Sequence, residues 1–188
     1  FRVLGELKYL IPVLGYKFPD PEDNASLAHS FQDTSAKFPD RPFLYFENED
    51  WTYDQTNKAA NALARYLKKT GVNHGDRIVL FMENRPSFIV SLLALNKIGA
   101  IAVLINTSLT GDPLIHCINS SDSIKCIFGA ERSQPLEDVL DKINISKQED
   151  FLWVEDTDKY PLPNWAMDLN AAIDHKNYHN LDETYSVK

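Results

Sequence analysis

The chain has 188 residues, 44% of them hydrophobic, enough to bury a sizeable core in one domain or most of one. Its 19 Lys and Arg against 27 Asp and Glu leave a net charge of −8 and no basic footprint, which excludes a nucleic-acid partner. Cys117 and Cys126 are the only cysteines, without the spacing of a metal site or a disulfide scaffold, and they suit a reducing compartment.

Residues 1–18 are apolar, with Arg2, Lys8 and Lys17 against Glu6. The segment is too charged and too short to span a bilayer, which takes about 20 apolar residues, and Pro12 would break a continuous helix. It suits either a membrane-proximal interfacial arm or an arm packed on the domain. The expected organisation is an arm over 1–20, an α/β unit over 21–160, and an irregular acidic continuation over 161–188. From Lys147 onward nine acidic residues stand against four Lys, which reads mostly as solvated surface.

After a linker at 19–24, residues 26–38 read as a helix with Leu27, Phe31 and Ala36 buried. A hairpin follows, from Pro42 to Glu47 and from Trp51 to Tyr53. Thr52 and Gln55 have the spacing of a capping box, so a helix starts near Tyr53. Ala60, Leu63, Ala64 and Leu67 mark its buried face, and Asp54, Lys58, Asn61, Arg65 and Lys68 its wet one. Gly71 ends it. Arg77 to Met82 is a short apolar strand, and Phe88 to Ile98 is apolar nearly all round, hence a buried helix before Gly99. Further strands fall near Ala100, Ile124 and Phe151. Between them lie helices over 113–120, with Asp112 as N-cap and a Leu114, Cys117, Ile118 stripe, and over 135–144, with a Leu136, Val139, Leu140, Ile143 stripe. This alternation predicts a mainly parallel sheet with helices on its faces. Residues 165–173 read as one last helix.

Parallel α/β sheets bind ligands at the carboxyl ends of their strands, which directs attention to Glu83-Asn84-Arg85, Asn106-Thr107-Ser108 and Gly129-Ala130-Glu131-Arg132. None is a phosphate loop. The GVNHGD turn precedes a strand, so it is a tight structural turn and not a dinucleotide fingerprint. Asn84 is a candidate cap for the Pro86 helix, and Arg85 is read as a solvated cation, with pairing to an anion after its strand as the alternative. His116 falls on a wet helical face, and His175 and His179 have an i, i+4 spacing without a third metal ligand. Cys117 and Cys126 sit on core-facing positions. The N-x-S/T triplets at Asn24, Asn106, Asn119 and Asn144 are read as coincidence, because glycosylation needs secretion and no signal peptide is read.

The words WTYDQ, ANALARYL and GVNHGDRIVLFMENRPSFIVSLLALNKIGAIAVLIN, in that order and spacing, resemble the N-terminal part of AMP-forming acyl-CoA synthetases, members of the adenylate-forming superfamily. GDPLIHCINSSDSIKCIFGAE is similar more narrowly to the fatty acid transport protein and very-long-chain acyl-CoA synthetase branch, where a Cys in this helix and a closing F-G-x-E are expected. The resemblance covers residues 38–131. It implies an incomplete N-terminal subdomain of a long-chain or very-long-chain fatty acid–CoA ligase. The intact enzyme would use ATP, Mg²⁺ and coenzyme A, with fatty acid as partner. It also implies an intracellular membrane location (endoplasmic reticulum, peroxisome or lipid droplet), with the cytoplasm as alternative.

The residues matching the family words are Thr52, Tyr53, Gly71, Gly75, Asp76, Asn84, Gly99 and Asn106, and their expected roles are caps, turns and packing. No catalytic, cofactor-binding or metal-binding residue is expected in this stretch. The family's Gly/Ser/Thr-rich loop ending in Lys, its later Thr-Glu word and its C-terminal Lys have no counterpart here, so the chain lacks the preorganised donors that phosphoryl chemistry needs and is expected to be inert alone. Two other readings stay open: a stand-alone α/β interaction module, and another adenylate-forming branch.

Overall fold

The computed structural model describes residues 26–155 and 160–181, so the segment read as an N-terminal arm lies outside them. Helix α1 (Leu27–Lys37) is capped by Ser26, whose hydroxyl accepts the His29 N–H at 3.1 Å. Its buried residues are Ala28, Phe31 and Ser35. That i, i+3, i+7 stripe leaves Leu27 and Ala36 on its flanks, so both are exposed where burial was expected. Strands β1 (Pro42–Phe46) and β2 (Glu49–Thr52) form an antiparallel hairpin that turns through Glu47, with φ +52°. The rings of Phe31, Phe43 and Tyr53 pack with centroids 4.7, 4.9 and 5.4 Å apart and tie α1 and β1 to the next helix.

That helix, α2 (Tyr53–Lys69), starts on the anticipated capping box. Thr52 Oγ1 accepts the Gln55 N–H at 3.2 Å and Gln55 Oε1 accepts the Thr52 N–H at 2.8 Å. The N-cap N–H and one orphan N–H of the first turn are thereby satisfied by side chains three residues apart.

Five parallel strands follow: β3 (Arg77–Phe81), β4 (Ile101–Leu104), β5 (Lys125–Gly129), β6 (Phe151–Val154) and β7 (Met167–Asp168). Their order is β4-β3-β5-β6-β7. Helices α3 (Pro86–Lys97), α4 (Gly111–Ser120), α5 (Ser133–Glu137) and α6 (Leu169–Ala172) complete the unit. Because side chains alternate along a strand, each central strand feeds two cores. Ile78, Leu80, Ile127 and Leu152 pack with α1, α2 and α3 on one face. Val79, Phe81, Cys126, Phe128 and Phe151 pack with Leu114, Ile118 and Leu136 on the other. The mainly parallel α/β architecture is therefore as predicted.

Several boundaries differ. The N-cap of α4 is Thr110, and Asp112 sits in the first turn, because the helix begins at Gly111 ahead of Pro113. The helix expected over 135–144 is broken into α5 and a single 3₁₀ turn at Leu140–Lys142, although Leu136, Val139 and Ile143 are buried as foreseen. Cys117 and Leu140 are only half-buried. Residues 165–173 are not one helix: Met167–Asp168 pairs with β6 before α6 starts on the Asp168 cap. The sheet thus continues into the stretch expected to be irregular, 161–188, and Trp165 stacks on Phe128 with centroids 5.2 Å apart.

Asn61 is the sharpest departure. Placed on the wet face of α2, it is 1% exposed because the chain returns over it. Its amide donates to Tyr178 O and Asn180 Oδ1, both at 2.9 Å, and Arg65 donates to the carbonyls of His179 and Asn180, each at 2.8 Å. The tail read as solvated surface is exposed over 174–180, as expected, and it also straps across α2.

Candidate functional site at the carboxyl ends of the strands

The chain leaves β3 for β4 on one side and then crosses to β5 on the other, so the strand order reverses between β3 and β5. Ligands of open parallel sheets bind in the crevice at the carboxyl ends of the strands at such a reversal. The loop after β3 carries Glu83, Asn84 and Arg85; the loop after β5 carries Glu131 and Arg132. Arg85 and Glu131 meet here. Their side chains form an ion pair, 5% and 8% exposed respectively, with Arg85 Nη2 donating to Glu131 Oε2.

Glu131 Oε1 also accepts the Glu83 N–H at 2.9 Å. Burial alone would raise the Glu131 carboxyl, but the Glu83 N–H and the Arg85 guanidinium outweigh it and hold the group below the usual carboxylate range. Arg132 extends the cluster: Nη2 donates to Glu83 Oε1 at 2.7 Å and Nη1 to Thr107 O at 2.8 Å. The loop after β4 is thereby drawn in. Within it Asn106 Oδ1 accepts the Ser108 N–H at 2.9 Å, an Asx turn that shapes the exit from the strand.

Gly129 follows from the same geometry. A Cβ built on it would overlap Arg85 Nη2 and both carboxylate oxygens of Glu131. Its φ of −78° is open to any residue, so close approach of the pair, not backbone conformation, demands the glycine. This gives the closing F-G-x-E word, Phe128 to Glu131, a physical meaning.

These are the three loops the sequence points to, and of the two readings of Arg85 the favoured one, a solvated cation, gives way to the other: it is buried in a pair with an anion. Asn84 is exposed and does not cap α3; the N-cap position belongs to Arg85, which makes no side-chain cap bond. Thr52 and Tyr53 lie at the head of α2. Gly71 and Gly75 sit at φ +91° and +85° in the turn before β3, where Asp76 accepts the Asn73 N–H at 2.7 Å, and Gly99 follows α3 at φ +68°. The structure brings Asn84 and Asn106 together at the strand-end recess and leaves the other matched residues in caps and turns. His116 is exposed, as expected, and His175 Nε2 lies 3.0 Å from Asn170 O. Among the described residues no group of three His, Cys, Asp or Glu could hold a metal. Burial pushes the Cys126 thiol far up, which suits a small core hydrophobe.

The cluster is chemically quiet, with each carboxylate set against a guanidinium. Beside it a recess of about 350 Å³ is lined by residues including Glu83, Phe88, Leu104 and Asn106. The arrangement locks three strand-end loops together and supplies no nucleophile with an adjacent base.

A sequence profile described as AMP-binding enzyme matches residues 31–179. The medium/long-chain-fatty-acid–CoA ligase FadD6 of Mycobacterium tuberculosis is 34% identical over 131 residues, covering 64% of this chain and 22% of that protein. Long-chain fatty acid transport protein 6 of Mus musculus is 28% identical over 139 residues, 73% of this chain and 22% of that protein. The chain therefore spans about a fifth of the length of these curated relatives. Among solved structures, the anthranilate CoA ligase AuaEII in complex with anthranoyl-AMP superposes with a TM-score of 0.74 at 18% identity, over 87% of this chain and 30% of that one. At that identity the likeness shows the fold.

Proposed function

We propose, from the premise that this chain belongs to the family of AMP-binding enzymes, that the whole protein is a long-chain fatty acid–CoA ligase and that this span is its scaffold. In that reaction the fatty acid carboxylate attacks the α-phosphorus of ATP with release of pyrophosphate. The coenzyme A thiol then displaces AMP from the acyl-adenylate. The observation that carries the reading is the family match over residues 31–179, and the names of the relatives favour medium to long acyl chains.

The residues of the strand-end crevice do not fit the nucleotide or its metal. Glu83 and Glu131, the carboxylates that could meet Mg²⁺, are spent on Arg132 and Arg85, and those guanidiniums are spent on them in turn. ATP, Mg²⁺ and coenzyme A are accordingly assigned to the rest of the whole protein, and none of the residues matching the family words is assigned a catalytic role. The test is fatty acid-dependent pyrophosphate release from the purified 188-residue chain. No turnover is expected, and turnover that survives removal of host synthetases would overturn the scaffold reading. If the coding sequence downstream lacks a Gly/Ser/Thr-rich loop ending in Lys, the stand-alone interaction module takes its place.

Membrane association is proposed for residues 1–18, which combine apolar side chains with a cationic excess and lie outside the described residues. No described helix is long and apolar enough to cross a membrane. Deleting 1–18 should abolish co-sedimentation with anionic liposomes. Lowered thermal stability with unchanged sedimentation would assign the segment to packing on the domain.

A further inference from the structure

The strap over α2 builds a second recess that shares no lining residue with the strand-end crevice. One wall is the last two turns of α2; the other is formed by Ala172, Asp174, Asn177 and Leu181. Its volume of about 630 Å³ lies within the size of small-molecule sites. Side-chain bonds from α2 to the strap, to one side chain and to backbone carbonyls, fix the two walls. Asn57 and Asn61, 8% and 1% exposed, reach Asn180 Oδ1 at 3.3 and 2.9 Å, and Arg65 holds the next carbonyls. Two buried amides on the helix are committed to one short segment of chain, so the recess has a defined shape.

Its lining is amphipathic. Ala62, half-buried Tyr66 and Leu181 supply an apolar floor, and burial raises the Tyr66 phenol above its ordinary value, so the ring presents a neutral edge. Among the described residues that line it, Arg65, Lys68 and Lys69 are cationic and Asp174 carries a carboxylate. In a chain of net charge −8 the described lining of this recess is cationic on balance.

We propose that the cleft between α2 and the 172–181 strap binds an organic anion, with a carboxylate or phosphate at the Arg65 and Lys69 end and an apolar or aromatic body against Tyr66, Ala62 and Leu181. The assignment stands apart from the ligase reading. A fatty carboxylate and a nucleotide share this chemistry, and binding tells them apart.

The test is calorimetric titration of the full 188-residue chain with decanoate, with AMP and with inorganic phosphate. One of the two organic anions is expected to bind, and to bind more tightly than inorganic phosphate, which has a headgroup and no body. Decanoate assigns a fatty carboxylate, and AMP a nucleotide. Lys69→Glu should weaken the bound anion by about fivefold, the reach of one exposed ion pair. Asn177→Trp should abolish binding by filling the recess while leaving its charge intact. Both positions are exposed, so each variant is checked for an unchanged melting temperature. Failure of both organic anions to bind, or binding that survives both substitutions, overturns the proposal.

Discussion

Gly129 and Arg85 compete for one volume: the guanidinium lies where a side chain on residue 129 would begin. The atoms in the way are the ends of flexible side chains, but they are buried and bonded to each other, so neither can yield without opening the ion pair. Gly129→Ala should therefore destabilise the fold by about 1–3 kcal/mol, the range for overpacking a filled interior. Urea denaturation measures it. A loss below about 0.5 kcal/mol, typical of a surface site, would mean that the pair relaxes freely.

Glu131 makes the same pair sensitive to acid. Its folded pKa is depressed, so the stability it contributes is present above its unfolded value of about 4.3 and is lost as pH falls through the lower folded value. Glu131→Gln should be less stable than the parent at pH 7, and the difference should shrink below about pH 4.3. Denaturation midpoints of both proteins from pH 7 to pH 3 would show it, and a gap independent of pH would refute the assignment.

Lys97 predicts the opposite end of the scale. The residue is 7% exposed at the end of α3, and its ammonium donates to Gln32 Oε1 at 3.1 Å and is pulled by burial to a pKa of about 8. Between about pH 8 and the unfolded value of about 10.4 the unfolded chain binds a proton that the folded chain has released, so stability rises with pH. Lys97→Met should remove that rise. The comparison is the difference in unfolding midpoint between parent and variant at pH 7.5 and pH 10.

Leu93, 3% exposed on α3, faces the core shared with α2 and β3. Leu93→Ala should cost about 2–5 kcal/mol, as for other truncations of a buried leucine. A two-state urea transition with an unchanged slope and a lower midpoint is the expected result.

What could be read from the sequence was what neighbours along the chain decide. Thr52 and Gln55 announce their capping box because both partners lie three residues apart. Ile78 to Phe81 announce a buried strand because both of its faces are covered and its residues are apolar throughout. The misreadings are long-range. Arg85 looked solvated because its carboxylate lies 46 residues away, and Asn61 looked wet because its cover lies 117 residues away. An asparagine on an otherwise polar helix side carries no local mark that a carbonyl will come to meet it. The strand-end loops were found by topology, whereas their mutual neutralisation needed coordinates.

The strap has a consequence for how the chain comes together. The capped α2 and the β1–β2 hairpin close over a few residues, but Asn57, Asn61 and Arg65 wait for partners 114 to 123 positions downstream. Loop closure over such a span is entropically expensive, so these bonds belong to a late step of folding. A chain emerging N-terminus first holds α2 with two bare amides until Asn180 has been made. Versions cut before residue 178 would keep them bare for good.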